Sequence, residues 1–197
     1  MPFTFAHPIA AAPIWLGSGR RLDLPSLIIG SIVPDLNYFL SLHPIKSVGH
    51  TLPGILTEGV PYSIGLLLIS RYILIRPCLA LIPQQLARHF PVPTSHFSLK
   101  LVNITNVVIS IILGAVSHLT WDRFTHHTSS LFTHSQLSQF YFGWLSIYQL
   151  FQCSSSLFGI VALGVWLFKW LNRTKYRYQT ETLTPSWRGL TIISTGL

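Results

Sequence analysis

The chain has 197 residues, of which 49% are hydrophobic and only 9% charged, with a formal net charge of +8. Soluble domains carry roughly 25% charged residues; too little charge is left here to coat a water-facing surface, and a mean hydropathy of +0.49 makes lipid the expected solvent. The basic excess does not read as nucleic-acid binding, because no recognition motif accompanies it and the Lys and Arg residues stand at the ends of apolar runs.

The opening, "MPFTFAHPIAAAPIWLGSGRR", places its arginines after the apolar part, against the order of a secretory signal, so the N-terminus is expected to be retained. A short apolar helix is expected over Ala6–Leu16. Four apolar stretches then approach the ~17–25 residues that a spanning helix needs: Leu24–Leu42, Gly59–Ile75, Val102–Val116 and Ser156–Leu171. Pro34-Asp35 falls inside the first. Pro suits an initial helical turn and Asp complements the helix dipole, so this stretch is expected to break in two. Pro83–His96, with three prolines and Arg88, reads as a loop. "QFYFGWLSIYQLF", Gln139–Phe151, has the aromatic richness of an interfacial helix. The tail beyond Lys169 is basic and then turns apolar.

The expected fold class is therefore all-α: a polytopic membrane helical bundle of about four spans plus short re-entrant or interfacial helices, forming one integral membrane domain over residues 1–197. Arg20 and Arg21, Arg76, Arg88 and Lys100, and Lys169, Arg173, Lys175 and Arg177 form a positive-inside pattern. It puts Pro83–His96 and the tail in the cytoplasm, and Leu42–Glu58 and Trp121–Ser135 outside. Cys78 and Cys153 lack CxxC spacing and imply no disulfide framework.

The chain has five acids, Asp23, Asp35, Glu58, Asp122 and Glu181. Asp35 and Asp122 lie in or against spans, where an ionised carboxylate costs at least ~2.5–3.5 kcal/mol at the bilayer centre and is a functional candidate by default. "SHLTWDRFTHH" sets His118 four residues before Asp122, which puts both on one helix face. Such a pair can grip a metal ion, but the same spacing also suits an interfacial helix end where Asp122 pairs with Arg123 or a histidine. His126 would continue that face. His7 opens the first apolar helix, and helix-rise estimates from the basic flanks bring His7, Asp35 and His118 to similar depths in the outer half of the membrane. His50 lies in the turn-prone "GHTLPG". His43, His89, His96, His127 and His134 read mostly as loop or interfacial residues.

"MPFTFAHPIAA", "GSIVPDLNYFL", "GHTLPG" and "GAVSHLTWDRFTH", in that order, resemble an uncharacterised bacterial membrane family, a domain of unknown function whose members open with MPFTxAHPA. The order His, Pro-Asp, His, His-x-x-x-Asp also resembles membrane-bound metal-dependent hydrolases of the bacterial inner membrane, and distantly the zinc-dependent phospholipase C and P1 nuclease group. The resemblance implies His7, Asp35, His50, His118 and Asp122 as metal ligands. It places the chain in the bacterial inner (plasma) membrane. Asn37 and Tyr38 stand where such hydrolases often carry a further acid or histidine, so one or two ions fit better than three.

Imidazole and carboxylate ligands without thiolates suit Zn²⁺, with Mn²⁺ or Fe as alternatives. Asp35 or Asp122 is the candidate general base, and ligand and base are not separable by sequence. The expected partners are the lipid bilayer and a lipid or phosphoester substrate, with no nucleic acid. Three function classes remain open at this point: a metal-dependent hydrolase, a non-catalytic membrane protein with a structural metal or polar cluster, and a small transporter. The last lacks the symmetric halves that many transporters show.

Overall fold

The structure is a computed structural model that describes residues 3–41, 50–87, 89–90, 101–125, 141–142 and 144–173. Expectations for His43, His96, His126, His127, His134 and the tail beyond Arg173 lie outside the described residues. The chain divides into two compact units, Met1–Leu67 with Ser98–Trp166, and Leu68–Phe97 with Leu167–Leu197.

Within the first unit, a 3-10 turn at Thr4–Ala6 leads through His7 into α1, Pro8–Gly17. Pro8 sits in the first turn, where its missing N–H costs nothing. The helix ends in two left-handed residues, Gly19 at φ 65° and Arg20 at φ 64°, and the Arg20 guanidinium lies over the Trp15 ring. Asp23 caps α2, Leu24–Gly30, by accepting from the Ser26 amide at 3.0 Å. A turn at Ser31–Ile32, a 3-10 turn at Val33–Asp35 and a short α3, Leu36–Ser41, follow. The expected Leu24–Leu42 span is thus broken, and its longest apolar helical piece is Leu24–Asp35.

Thr51 caps the next helix by accepting from the Gly54 amide at 3.1 Å. This helix, α4, runs from Leu52 to Leu81 and contains π-helical turns at Ile55–Gly59 and Ser70–Leu74. A short α5 covers Gln84–Ala87. The long α6 covers Leu101–Thr125 and α7 covers Ile147–Arg173. In the second unit the Phe90 and His89 rings lie 5.2 and 6.4 Å from that of Trp170.

Among the described residues, all regular structure is helical apart from one small antiparallel pairing, Tyr141–Phe142 with Leu145–Ser146. That pairing corrects the expectation of a helix over Gln139–Phe151. The chain reverses between Phe142 and Leu145, with a turn at Trp144, before α7 begins at Ile147; the sequence of this stretch includes a glycine, a residue poorly suited to helix interiors. The Ser146 amide is then satisfied by the Gln149 side chain at 2.9 Å, in the manner of a helix start.

Among the described residues, three helices are long and apolar enough to cross a membrane: Leu52–Leu81, Asn103–Arg123 and Gln149–Arg173. Their outer faces carry large exposed apolar side chains, among them Leu56 and Ile73 on α4, Ile109 on α6, and Phe158, Val161 and Phe168 on α7. Apolar surface of this extent is expected where lipid is the neighbour. Cys78 and Cys153 are free and exposed.

The packing that matters for the site is α2 against α6. Ser26 and Gly30 on one helix and Ser110 and Gly114 on the other are small residues four apart, the pattern that lets membrane helices approach closely. A Cβ on Gly30 would run into the backbone of Ile111, and one on Gly114 into the Leu27 carbonyl and the Ser31 amide. The seam is pinned at its start, where the Asp23 amide donates to Ser110 Oγ at 2.9 Å and the Asn106 side chain donates to the Arg21 carbonyl at 2.9 Å.

Candidate metal centre

One helical repeat beyond Gly114 along the same face of α6 comes His118, and one further comes Asp122. The close seam brings the end of α2 within reach of the first: His118 Nδ1 lies 2.8 Å from the Ser31 carbonyl. A carbonyl oxygen can only accept, so the proton of a neutral His118 sits on Nδ1 and its Nε2 presents a lone pair. That nitrogen is fully buried, without a hydrogen-bond partner among the described residues. It faces Asp122 Oδ2 at 3.2 Å and Asp35 Oδ1 at 3.6 Å.

Asp35 reaches this point from the 3-10 turn that breaks the α2 segment. Pro34 fixes φ in that turn, and the Asp35 amide donates to the Ile32 carbonyl at 3.1 Å. His50 comes from the residue before the Thr51 cap of α4, so the cap that starts the helix also sets where the imidazole leaves the chain. Its Nε2 lies 3.3 Å from Asp35 Oδ1 and 3.7 Å from Asp122 Oδ2. Asp35, His50, His118 and Asp122 each offer one ligand atom, and the four atoms lie within 4.8 Å of one another. This group could hold a metal ion.

His7 meets the centre from the side and is not one of those four. Its ring stacks on that of His118 at 4.1 Å between centroids, and its Nε2 lies 3.1 Å from Asp122 Oδ1. Its Nδ1 lies 3.1 Å from the Thr4 carbonyl. A neutral ring has one proton for these two acceptors.

The electrostatics are unusual for a buried cluster. Asp35 is 3% exposed and Asp122 8%, and the ion pairs of Asp35 are with histidines alone among the described residues. Burying charge in this way is costly unless it is balanced. His50, on the exposed side of the cluster, shows the demand for positive charge: the carboxylates of Asp122 and Asp35 outweigh its burial and raise its pKa to about 9. A divalent cation would answer the same demand without a proton. In metal sites the ligating histidine commonly donates its other N–H to a backbone carbonyl, which is the arrangement of His118 with Ser31.

Four of the five expected ligands are therefore brought together, and the fifth, His7, is set against two of them, His118 and Asp122. Two contributors escaped the sequence reading. One is the Ser31 carbonyl, which no side-chain motif announces. The other is Thr4, inside the very "MPFTFAH" stretch that marks His7. Its hydroxyl donates to Asp35 Oδ2 at 2.6 Å, while its carbonyl faces His7 Nδ1. The paired Ser-x-x-x-Gly spacings of α2 and α6 were a legible signal for their close packing.

A family model matches residues 1–195. The chain belongs to DUF4184, a domain of unknown function. The match covers every residue of the candidate metal centre, and the family description names no activity. No curated protein and no solved structure matches the chain.

Proposed function

We propose that this DUF4184 protein is a membrane-embedded, metal-dependent hydrolase of the bacterial inner membrane. Asp35, His50, His118 and Asp122 hold one divalent ion, and the target is a phosphoester of a lipid or lipid-linked substrate. The observation that carries the reading is the buried His118 Nε2, which has no hydrogen-bond partner among the described residues and is aimed at two carboxylates. Lone pairs do not converge on anions in a buried site unless a cation or a proton lies between them. The two-oxygen, two-nitrogen donor set, free of thiolate, suits Zn²⁺ and also accommodates Mn²⁺ or Fe.

Such an ion supplies Lewis acidity toward a phosphoryl or carbonyl oxygen and brings the acidity of water toward neutral pH. The protein's own residues divide the remaining work. His118 is fully enclosed, whereas the His50 side chain is 30% exposed, so a substrate approaches on the His50 side. Asp35 has one oxygen occupied by Thr4 and the other turned to the histidines. Asp122 is the better proton acceptor, because its Oδ1 faces His7 Nε2 at 3.1 Å, to which a proton can pass. The placement of Lys and Arg further supports an outward-facing site, open to lipid-linked phosphates of the outer leaflet.

Metal analysis of detergent-purified wild type beside His118→Ala and Asp122→Asn tests the centre, and hydrolysis of a generic phosphodiester and of lipid phosphoesters tests the activity. Stoichiometric metal in wild type alone, with turnover that chelation abolishes, is the expected result. Metal without turnover on any phosphoester would overturn the hydrolase reading and leave a structural ion. Absence of metal under metal-replete conditions would remove both.

A further inference from the structure

The N-terminal turn has a use that extends beyond supplying His7. Thr4 is 6% exposed and touches the centre twice. Its hydroxyl donates to Asp35 Oδ2 at 2.6 Å, a short charge-assisted bond. Its carbonyl lies 3.1 Å from His7 Nδ1. Among the described residues no other donor reaches Asp35 Oδ2. With that oxygen engaged, only Oδ1 remains for the ligand cluster, where it lies 3.3 Å from His50 Nε2 and 3.6 Å from His118 Nε2. The turn is itself held from the far end of the sequence. The Phe3 amide donates to Ser156 Oγ of α7 at 2.9 Å, and Gly159, one turn on, lies so near Ala6 that a Cβ there would press on the Ala6 side chain and carbonyl.

We propose that Thr4 is a positioning residue of the metal centre. Its hydroxyl fixes Asp35 as a one-oxygen ligand through Oδ1, and its carbonyl orients His7 against Asp122, with α7 holding the turn in register. This rests on the metal-binding reading above. A side chain that hydrogen-bonds a ligating carboxylate typically changes metal affinity by ~10–100-fold when it is removed.

The test is competition for Zn²⁺ between a chromophoric chelator and detergent-solubilised full-length protein. Wild type is compared with Thr4→Val, Thr4→Ser and Thr4→Ala. Valine keeps the shape and the backbone carbonyl and removes only the hydroxyl; Ser and Ala differ from each other by one oxygen. The expected result is Zn²⁺ affinity lowered by roughly 10–100-fold in Thr4→Val and Thr4→Ala, and close to wild type in Thr4→Ser. If Thr4→Val does not fold, the Ser and Ala pair carries the same comparison. Equal affinity in Ser and Ala variants, or a Ser variant as weak as Ala, would overturn the role of the hydroxyl while the metal centre stood. A wild type that takes no Zn²⁺ from the chelator would instead overturn the metal reading itself.

Discussion

Helices α6 and α7 are almost indistinguishable by hydropathy. Their apolar windows average 1.6 and 1.7, and each is long enough to cross a bilayer. They serve different ends. Along α6, Ser110, Gly114, Ser117, His118 and Asp122 are buried on one face, and that face builds the α2 seam and then the candidate metal centre. Along α7 most large side chains look outward, Gly164 has open space around it, and the contact that bears on the centre is the narrow one at Ser156 and Gly159. Mean apolarity therefore reports the solvent of a helix. The register of its few small and polar residues reports its job.

The largest expected effect is at the functional end of α6. Asp122→Asn keeps the shape of the side chain and removes its charge. It should lower metal occupancy by more than the ~10–100-fold typical of losing a supporting hydrogen bond. Because an ion bound at 100 times its Kd stabilises the fold by about 2.7 kcal/mol, the melting temperature in excess Zn²⁺ should drop as well, while the metal-free forms melt alike. Metal content by elemental analysis and thermal melts with and without chelator check both. An Asn variant with full occupancy would erase the distinction drawn between the two helices.

The seam comes next. Gly114→Ala drives a methyl group into the Leu27 carbonyl and the Ser31 amide; overpacking of this kind costs about 1–3 kcal/mol. It should also weaken metal binding, because moving Ser31 moves the carbonyl that orients His118. Gly164→Ala is the matched change on α7, where nothing lies in the way. It should be neutral or stabilising by up to about 1 kcal/mol, the helix-propensity gain of Ala over Gly. Thermal melts of the two variants in one detergent decide the point, and equal destabilisation would show that α6 is no more closely packed than α7.

The smallest effect is expected where α7 does touch the centre. Gly159→Ala places its methyl against the Ala6 Cβ and carbonyl, a less severe approach than the one at Gly114, so the cost should fall below that of Gly114→Ala within the overpacking range of about 1–3 kcal/mol. The sharper readout is Zn²⁺ affinity, which should fall less than in Thr4→Val, since the turn is displaced but keeps its hydroxyl. A Gly159→Ala variant with unchanged affinity would mean that α7 serves the fold alone.

Much was legible from residue types and spacing. The paucity of charge and the apolar runs called for helices long and apolar enough to cross a membrane, and the costs of burying carboxylates singled out Asp35 and Asp122. The i, i+4 spacing placed His118 with Asp122, and Pro34-Asp35 marked a break in the first long apolar stretch. These are local properties of composition and helical period, so the sequence by itself determined them. It did not foresee the reversal at Tyr141–Ser146, where aromatic composition pointed to an interfacial helix and the backbone pairs with itself instead.

Tertiary structure decided how the pieces meet. Whether His50, 68 residues before His118 in the chain, joins the same cluster depends on where α4 begins, and hence on the Thr51 cap. Whether His118 offers a lone pair or a proton to the carboxylates depends on the Ser31 carbonyl, which reaches it only because Gly30 and Gly114 let two backbones approach. That Thr4 rather than another donor engages Asp35 follows from a turn held against α7. Each of these contacts joins segments distant in sequence through a backbone atom or a side chain of ordinary type. Spacing along the chain signals at most the close approach of α2 and α6; the contacts themselves exist only once the helices have packed.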